Sequence, residues 1–201
     1  MPKKMRSEKF HWAQETIQIA AVLLNESYEI IDRFSSYVAP EFGTIDPYIE
    51  RLTRISDMDV KSAPHMKEAL KKFIDWLPHD TRFVAWSNSD RAQIQHEIIA
   101  KSIVFDGVER LENTWIDCQK LFGTKLAATH SYNLTEALNL SDIPYRDGTH
   151  DGLVDAYNTA LLFIKLSRTP EYRLNQHYIT EVEGLSVSME GLFAKLNLAF
   201  V

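Results

Sequence analysis

Apolar positions alternate or run together over residues 16–24 and 28–38, and Asn25-Glu26-Ser27 interrupts them, which predicts a β-hairpin. Residues 46–53 read as a short helix. Residues 63–77 read as a longer one, with Met66, Leu70, Phe73, Ile74 and Leu77 at helical spacing and Pro64 near the first turn. Phe83-Val84-Ala85-Trp86 is a short buried strand, Ser87-Asn88-Ser89-Asp90 a loop, and 91–101 a helix. A strand at 113–118, the start of a helical turn at 119–122, and helices at 134–138 and 153–166 complete the pattern. Strands followed by strand-helix alternation suit an α/β fold, a mixed sheet with helices packed on its faces. In the tail, Tyr178-Ile179-Thr180-Glu181-Val182 reads as a short strand. Met189, Leu192, Phe193, Leu196 and Leu198 read as one face of an amphipathic helix, expected to dock on its own domain.

His150 stands at the entrance of the last predicted helix and Asp155 about one turn in, so both can face one cleft. An imidazole takes up a proton near neutral pH, and a carboxylate beside it holds a hard divalent cation. The pair suggests metal-assisted hydrolysis. Asp90 lies where a strand passes into a helix, a place where α/β folds put catalytic groups. Taken alone, each has a plainer reading. Ser89 or Asp90 serves as a helix N-cap, and His-x4-Asp as a capped helix end.

A chain of 201 residues with 45% hydrophobic content fits one domain with a proper core. The single Cys118 excludes an internal disulfide, suits a reducing compartment, and is expected to be buried in the strand at 113–118. No apolar run approaches the roughly 18 residues of a membrane span and the start does not resemble a signal peptide, so a cytoplasmic protein without membrane contact is expected. A net charge of −6 repels nucleic acid at long range. Lys3, Lys4, Arg6 and Lys9 form a basic cluster that serves as a phosphate track or a solvated face, while Lys61, Lys67, Lys71 and Lys72 read as a solvated face. His11, His65, His79, His96, His130 and His177 share no metal-ligand spacing. Trp12, Trp76, Trp86 and Trp115 read as packing residues, and Asp117 as a possible border of the cleft.

Taken in order, W-S-N-S-D-R at 86–91 and H-D-G-L-V-D-A at 150–156 resemble the second and third motifs of the DEDDh 3′–5′ exonucleases. This is the ribonuclease T and DnaQ-like superfamily, and the likeness is to its ERI-like and KapD-like branch. Residues 15–22 resemble the family's second strand, E-I-I-E-I-G-A-V, with Ala20 for glycine. Phe34 to Pro40 resembles the strand that follows. Ile49 to Ile55 with Val60 resembles I-x-x-L-T-G-I and a valine, with Arg54 for the glycine, and 133–138 resembles the short helix before the third motif.

The resemblance implies a ribonuclease H-like mixed five-stranded sheet flanked by helices. It also implies Asp90 and Asp155 as ligands of two Mg²⁺ or Mn²⁺ ions, and His150 as the general base. The substrate implied is single-stranded or 3′-ended nucleic acid, DNA or RNA, cut from the 3′ end to nucleoside 5′-monophosphates. One part is missing: no D-x-E precedes Glu15, and residues 1–14 show no apolar run fit for the first, central strand. Glu15 matches a non-catalytic position and Glu8 reads as solvated. Removing a central strand exposes two rows of backbone groups that need other partners. The expected explanations are a start upstream of Met1, which is preferred, a trimmed chain, or a gap filled by another chain or by the N-terminal segment.

The expected division is a basic segment at 1–14, an exonuclease-like domain at 15–168 and an extension at 169–201. Impaired catalysis is expected, the alternative being an inactive nucleic-acid-binding or scaffold protein on the same fold. A metal-free interaction module built around the tail is a third class, and homo-oligomerisation is left open.

Overall fold

The computed structural model describes residues 14–112, 114–126, 128, 130–146 and 150–169. The tail segments expected at 178–182 and 189–198, and the basic cluster from Lys3 to Lys9, lie outside these residues.

The hairpin forms as β1 (Gln18–Leu24) and β2 (Ile30–Tyr37), antiparallel, with Gln18 opposite Tyr37 and a register shift between Leu23 and Leu24. Asn25 organises the turn: its side-chain oxygen accepts from the N–H groups of Ser27 and Glu29, both at 2.9 Å. Tyr28, expected to open the second strand, sits instead at φ 59, a left-handed backbone that cannot continue a ladder. Strand β2 therefore starts two residues later.

Helix α1 (Pro47–Thr53) is capped by Asp46, which accepts from the Tyr48 N–H, and Pro47 supplies a preset φ at its first turn. Arg54, in the place where the resemblance expected glycine, closes it at φ 60. A one-turn helix α2 (Asp57–Val60), not foreseen from the pattern, follows with a Ser56–Asp59 capping box. Helix α3 (Met66–Trp76) begins after Pro64, three residues later than predicted, and buries Met66, Ala69, Leu70, Phe73 and Ile74. Strand β3 (Phe83–Ala85) leads to α4 (Ser89–Ala100), and a 3-10 turn at Val108–Glu112 precedes β4 (Trp115–Asp117). Cys118 is buried as expected but opens α5 (Cys118–Lys125) rather than ending a strand, because the Asp117 carboxylate caps that helix by accepting from the Lys120 N–H. Helices α6 (Leu134–Leu140) and α7 (Gly152–Arg168) both outrun their predicted ends.

The fold is mixed α/β. Among the described residues four strands form two separate pairs, β1 with β2 antiparallel and β3 with β4 parallel. Packed side chains join the pairs. Strand alternation sends Ile19 and Ala21 of β1 into a core with Phe34, Leu70, Phe73 and Phe83, while Gln18 and Ala20 meet α7 at Gly152. Phe83 stacks on Trp115 at 4.7 Å between centroids, which locks the parallel pair to that core. A second core of Cys118, Phe122, Leu138, Leu162 and Leu166 lies among α5, α6 and α7, and Trp86 packs into it against Phe122.

A charged knot lies at the C-terminal end of α4. The Lys101 ammonium, 3% exposed, reaches Glu97 at 2.8 Å, Glu15 at 2.9 Å and Glu41 at 3.1 Å. Glu97 also accepts from the Thr16 backbone at 2.7 Å, and Glu15 from the N–H groups of Glu41 and Phe42. The knot fastens α4 to the chain entering β1 and to the loop after β2.

Candidate active site

Helix α4 has Asn88 as its N-cap, and Ser87 Oγ accepts from the Ser89 N–H at 3.3 Å. Neither Ser89 nor Asp90 caps the helix, contrary to the plainer reading of the sequence. Asp90 in the first turn is thereby left to face solvent. It is nonetheless surrounded by enough protein that desolvation holds its carboxyl above the usual range, against a hydrogen bond from its own backbone, and the charge of Asp155 adds to the rise. Its exposed surface limits what that shift is worth in stability.

Helix α7 is capped by Asp151, whose carboxylate accepts from the N–H groups of Leu153 at 2.8 Å and Val154 at 3.3 Å. His150, just ahead of the cap, is exposed and held at φ 66. Asp155, half-buried one turn in, has its carboxyl pushed up first by burial, with Asp151 adding to the rise. A hydrogen bond from Tyr145 and the charge of His150 pull it back down. The charge of Asp155 is felt at Asp90 and that of His150 at Asp155.

Two further residues brace this helix entrance. Gln18 Oε1 accepts from the Gly152 N–H at 2.9 Å, and Tyr145 donates its hydroxyl to Asp155 Oδ1 at 2.9 Å. Burial, followed by the hydrogen bond and charge of Asp155, pushes the Tyr145 hydroxyl up to about 12, so it remains a donor throughout the physiological range. Asn158, fully buried on the same helix, accepts from the Arg146 N–H at 3.3 Å. None of these was singled out from the sequence. Tyr145 lies in a loop without periodicity, and Gln18 registered only as one position of a strand.

Carboxylate oxygens beside an imidazole fit a hard cation such as Mg²⁺ or Mn²⁺ in kind. They fall short in number: among the described residues no three His, Cys, Asp or Glu side chains gather around one point. Glu15 cannot supply the deficit, because backbone N–H groups and Lys101 occupy its carboxylate. Asp117, considered as a border of the cleft, is committed to capping α5. Lys61, Lys67, Lys71 and Lys72 are exposed, with Lys71 paired to Asp75 at 2.8 Å. No helix among the described residues is long and apolar enough to cross a membrane.

Sequence comparison defines the class to which this mixed α/β fold belongs. The sequence model of the exonuclease family RNase T matches residues 11–163, and the chain belongs to this family of DEDDh-type 3′–5′ exonucleases. It is 30% identical over 188 residues to human ERI1 exoribonuclease 2, covering 80% of this chain and 26% of that protein. To the 3′-5′ exonuclease Snipper of Drosophila melanogaster it is 25% identical over 202 residues, covering 82% and 69%. Among solved structures, the nuclease domain of 3′hExo, a DEDDh family member bound to rAMP, superposes with a TM-score of 0.65 at 25% identity, covering 79% of this chain and 84% of that one.

Proposed function

We propose that this chain carries the site of a metal-dependent 3′–5′ exonuclease that shortens DNA or RNA from the 3′ end to nucleoside 5′-monophosphates. We further propose that the chain is severely impaired, because no D-x-E precedes Glu15 in the sequence and, among the described residues, no three metal-ligating side chains gather at one point. The observation that carries this reading is the family match over residues 11–163, within which Asp90 lies in the first turn of α4 and His150 and Asp155 lie at the entrance of α7. Asp90 and Asp155 would hold Mg²⁺ or Mn²⁺, and the bound ion supplies charge stabilisation to a phosphate ester under attack. His150, exposed at the mouth of α7, takes the proton of the attacking water. The relative bound to rAMP, a nucleoside monophosphate, agrees with the product class.

The test is the 201-residue chain with Mn²⁺ and a 5′-labelled single-stranded oligonucleotide. Slow stepwise shortening from the 3′ end is expected, lost in Asp155→Asn, and an N-terminally extended version supplying a D-x-E strand is expected to be faster by orders of magnitude. Equal rates in the two forms refute the impairment, and no shortening by either refutes the nuclease reading. A nucleic-acid-binding or scaffold role on the same fold is the second reading. It is favoured by the shortage of ligands among the described residues, and retention of Asp90, His150 and Asp155 weighs against it. Oligonucleotide binding without cleavage by the extended form would select it.

A further inference from the structure

Helix α7 lies over β1 and leaves the same side of β2 exposed. Strand alternation puts Gln18, Ala20 and Val22 on the face of β1 that meets α7, and their register partners Tyr37, Ser35 and Arg33 on the matching face of β2, together with Ile31. All four of these β2 residues are exposed, Ile31 to 57%. Between them and the flank of α7 runs a groove of about 500 Å³, lined by apolar Val22, Ile31 and Leu153 and by Arg33, Arg146 and Tyr157.

The Arg146 guanidinium lies over the Tyr157 ring, 3.7 Å from its centroid, and donates to the Tyr157 hydroxyl at 3.0 Å. Its backbone N–H is held by the buried Asn158. The stack is thus a flat cationic plate positioned in advance. Nearby acids are turned elsewhere. The Asp32 carboxylate sits on the opposite face of β2, where it accepts from Trp76 Nε1 at 2.8 Å, and that of Asp151 is committed to the N–H groups of Leu153 and Val154. Two arginines therefore border an apolar wall without a carboxylate between them.

A net charge of −6 repels a polyanion at a distance, so a nucleic-acid strand must be gripped at close quarters by local cations. Unpaired bases stack on aromatic rings and guanidinium planes, and backbone phosphates take arginine. The groove offers both, with an apolar wall for sugar or base. Asp155 and Tyr157, two positions apart on α7, point to opposite flanks of a helix about 10–12 Å across, a width that a few nucleotides span. We propose that this groove binds a single nucleic-acid strand on the 5′ side of the 3′ end that enters the site, through phosphate contacts with Arg33 and Arg146. The direction of the strand rests on the exonuclease reading. The grip itself needs no metal ion.

The experiment follows binding of fluorescein-labelled oligouridylate and oligothymidylate of about 12 nucleotides to the full 201-residue chain by anisotropy. It is run in EDTA so that nothing is cut, across a salt titration, with thermal melting in parallel. Each phosphate contact on a single strand contributes about 0.7 to the slope of log affinity against log salt. Arg33→Gln and Arg146→Gln are each expected to reduce the parental slope by that amount, and the double variant by about 1.4. Arg33→Lys and Arg146→Lys, which keep the charge, should restore the slope. Lys67→Gln, exposed on α3, should leave it unchanged. Parental slopes in both glutamine variants overturn the groove and leave the exonuclease reading standing. An equal loss in Lys67→Gln reports net charge alone and also overturns it. If Arg146→Gln melts below the parent, Arg33→Gln decides by itself. Failure of the parent to bind either oligonucleotide overturns the groove as well, and cleavage with Mn²⁺ then judges the exonuclease reading separately.

Discussion

Gln18 on β1 and Gly152 at the first turn of α7, 134 residues apart in sequence, are joined by a 2.9 Å hydrogen bond from the glycine N–H to the glutamine Oε1. A methyl group on Gly152 would stand 2.9 Å from that same oxygen and 3.3 Å from the Ala20 Cβ. Alanine at a helical position is ordinarily better than glycine by about 1 kcal/mol, but here it displaces the glutamine and crowds the strand. Gly152→Ala is expected to destabilise by about 1–2 kcal/mol. In a Gln18→Ala background the penalty should shrink, giving a coupling of at least about 0.5 kcal/mol. Urea titration of the four proteins measures it, and simple additivity would show that the two residues do not share the space.

Arg54 ends α1 in the left-handed region, at φ 60 and ψ 19, with its side chain exposed. A residue with a Cβ pays about 1–2 kcal/mol there, and glycine pays almost nothing. Arg54→Gly is therefore expected to raise stability by about 1 kcal/mol, read as a higher denaturant midpoint at unchanged slope.

The metal-free site opposes the fold. Asp90 and Asp155 both have carboxyls raised above the unfolded value of 3.8, in each case first by burial. The native state therefore holds protons more tightly than the unfolded chain does. Their contribution to stability falls as pH rises from 3.8 through the raised values and then stays level. Asp155→Asn should melt slightly higher than the parent at pH 7 without metal, by less than about 2–4 °C. The difference should narrow as the pH is lowered towards 4. A melting temperature below the parent's at pH 7 would contradict this.

Lys101 is the reverse case. Burial works to lower its pKa, but the hydrogen bonds and charges of Glu97 and Glu15 outweigh it and the net shift is upward from 10.5. Its contribution is complete below 10.5 and disappears as pH rises through the higher folded value. Lys101→Met leaves Glu97, fully buried, without its cation. A loss of about 3–5 kcal/mol is expected by chemical denaturation, and a cost under about 1 kcal/mol would mean that solvent reaches the knot.

The elements with strong periodicity were legible in the sequence. The α3 face of Met66, Leu70, Phe73 and Ile74 is buried as its spacing required, and Asn25 marked the hairpin turn. Boundaries failed where a polar side chain competes with the pattern: Asp117 turns Cys118 into a helix, and the left-handed Tyr28 delays β2. How the strand pairs join was not legible: among the described residues β1 and β3 are not hydrogen-bonded to each other, and no count of apolar residues reveals which edges meet. Asp90, His150 and Asp155 could be picked out because motif spacing carries them. Tyr145, Gln18 and Lys101 could not, because each acts through a partner that only folding brings near.

The division of the strands into two pairs places the acids beside different pairs, Asp90 beyond β3 and Asp155 on the helix laid across β1. Among the described residues no backbone ladder sets the spacing between them. Side-chain packing, the Lys101 knot and the Gln18–Gly152 hydrogen bond do so, and side-chain contacts loosen on warming before ladders break. Heating should therefore silence this centre while circular dichroism still reports intact helices.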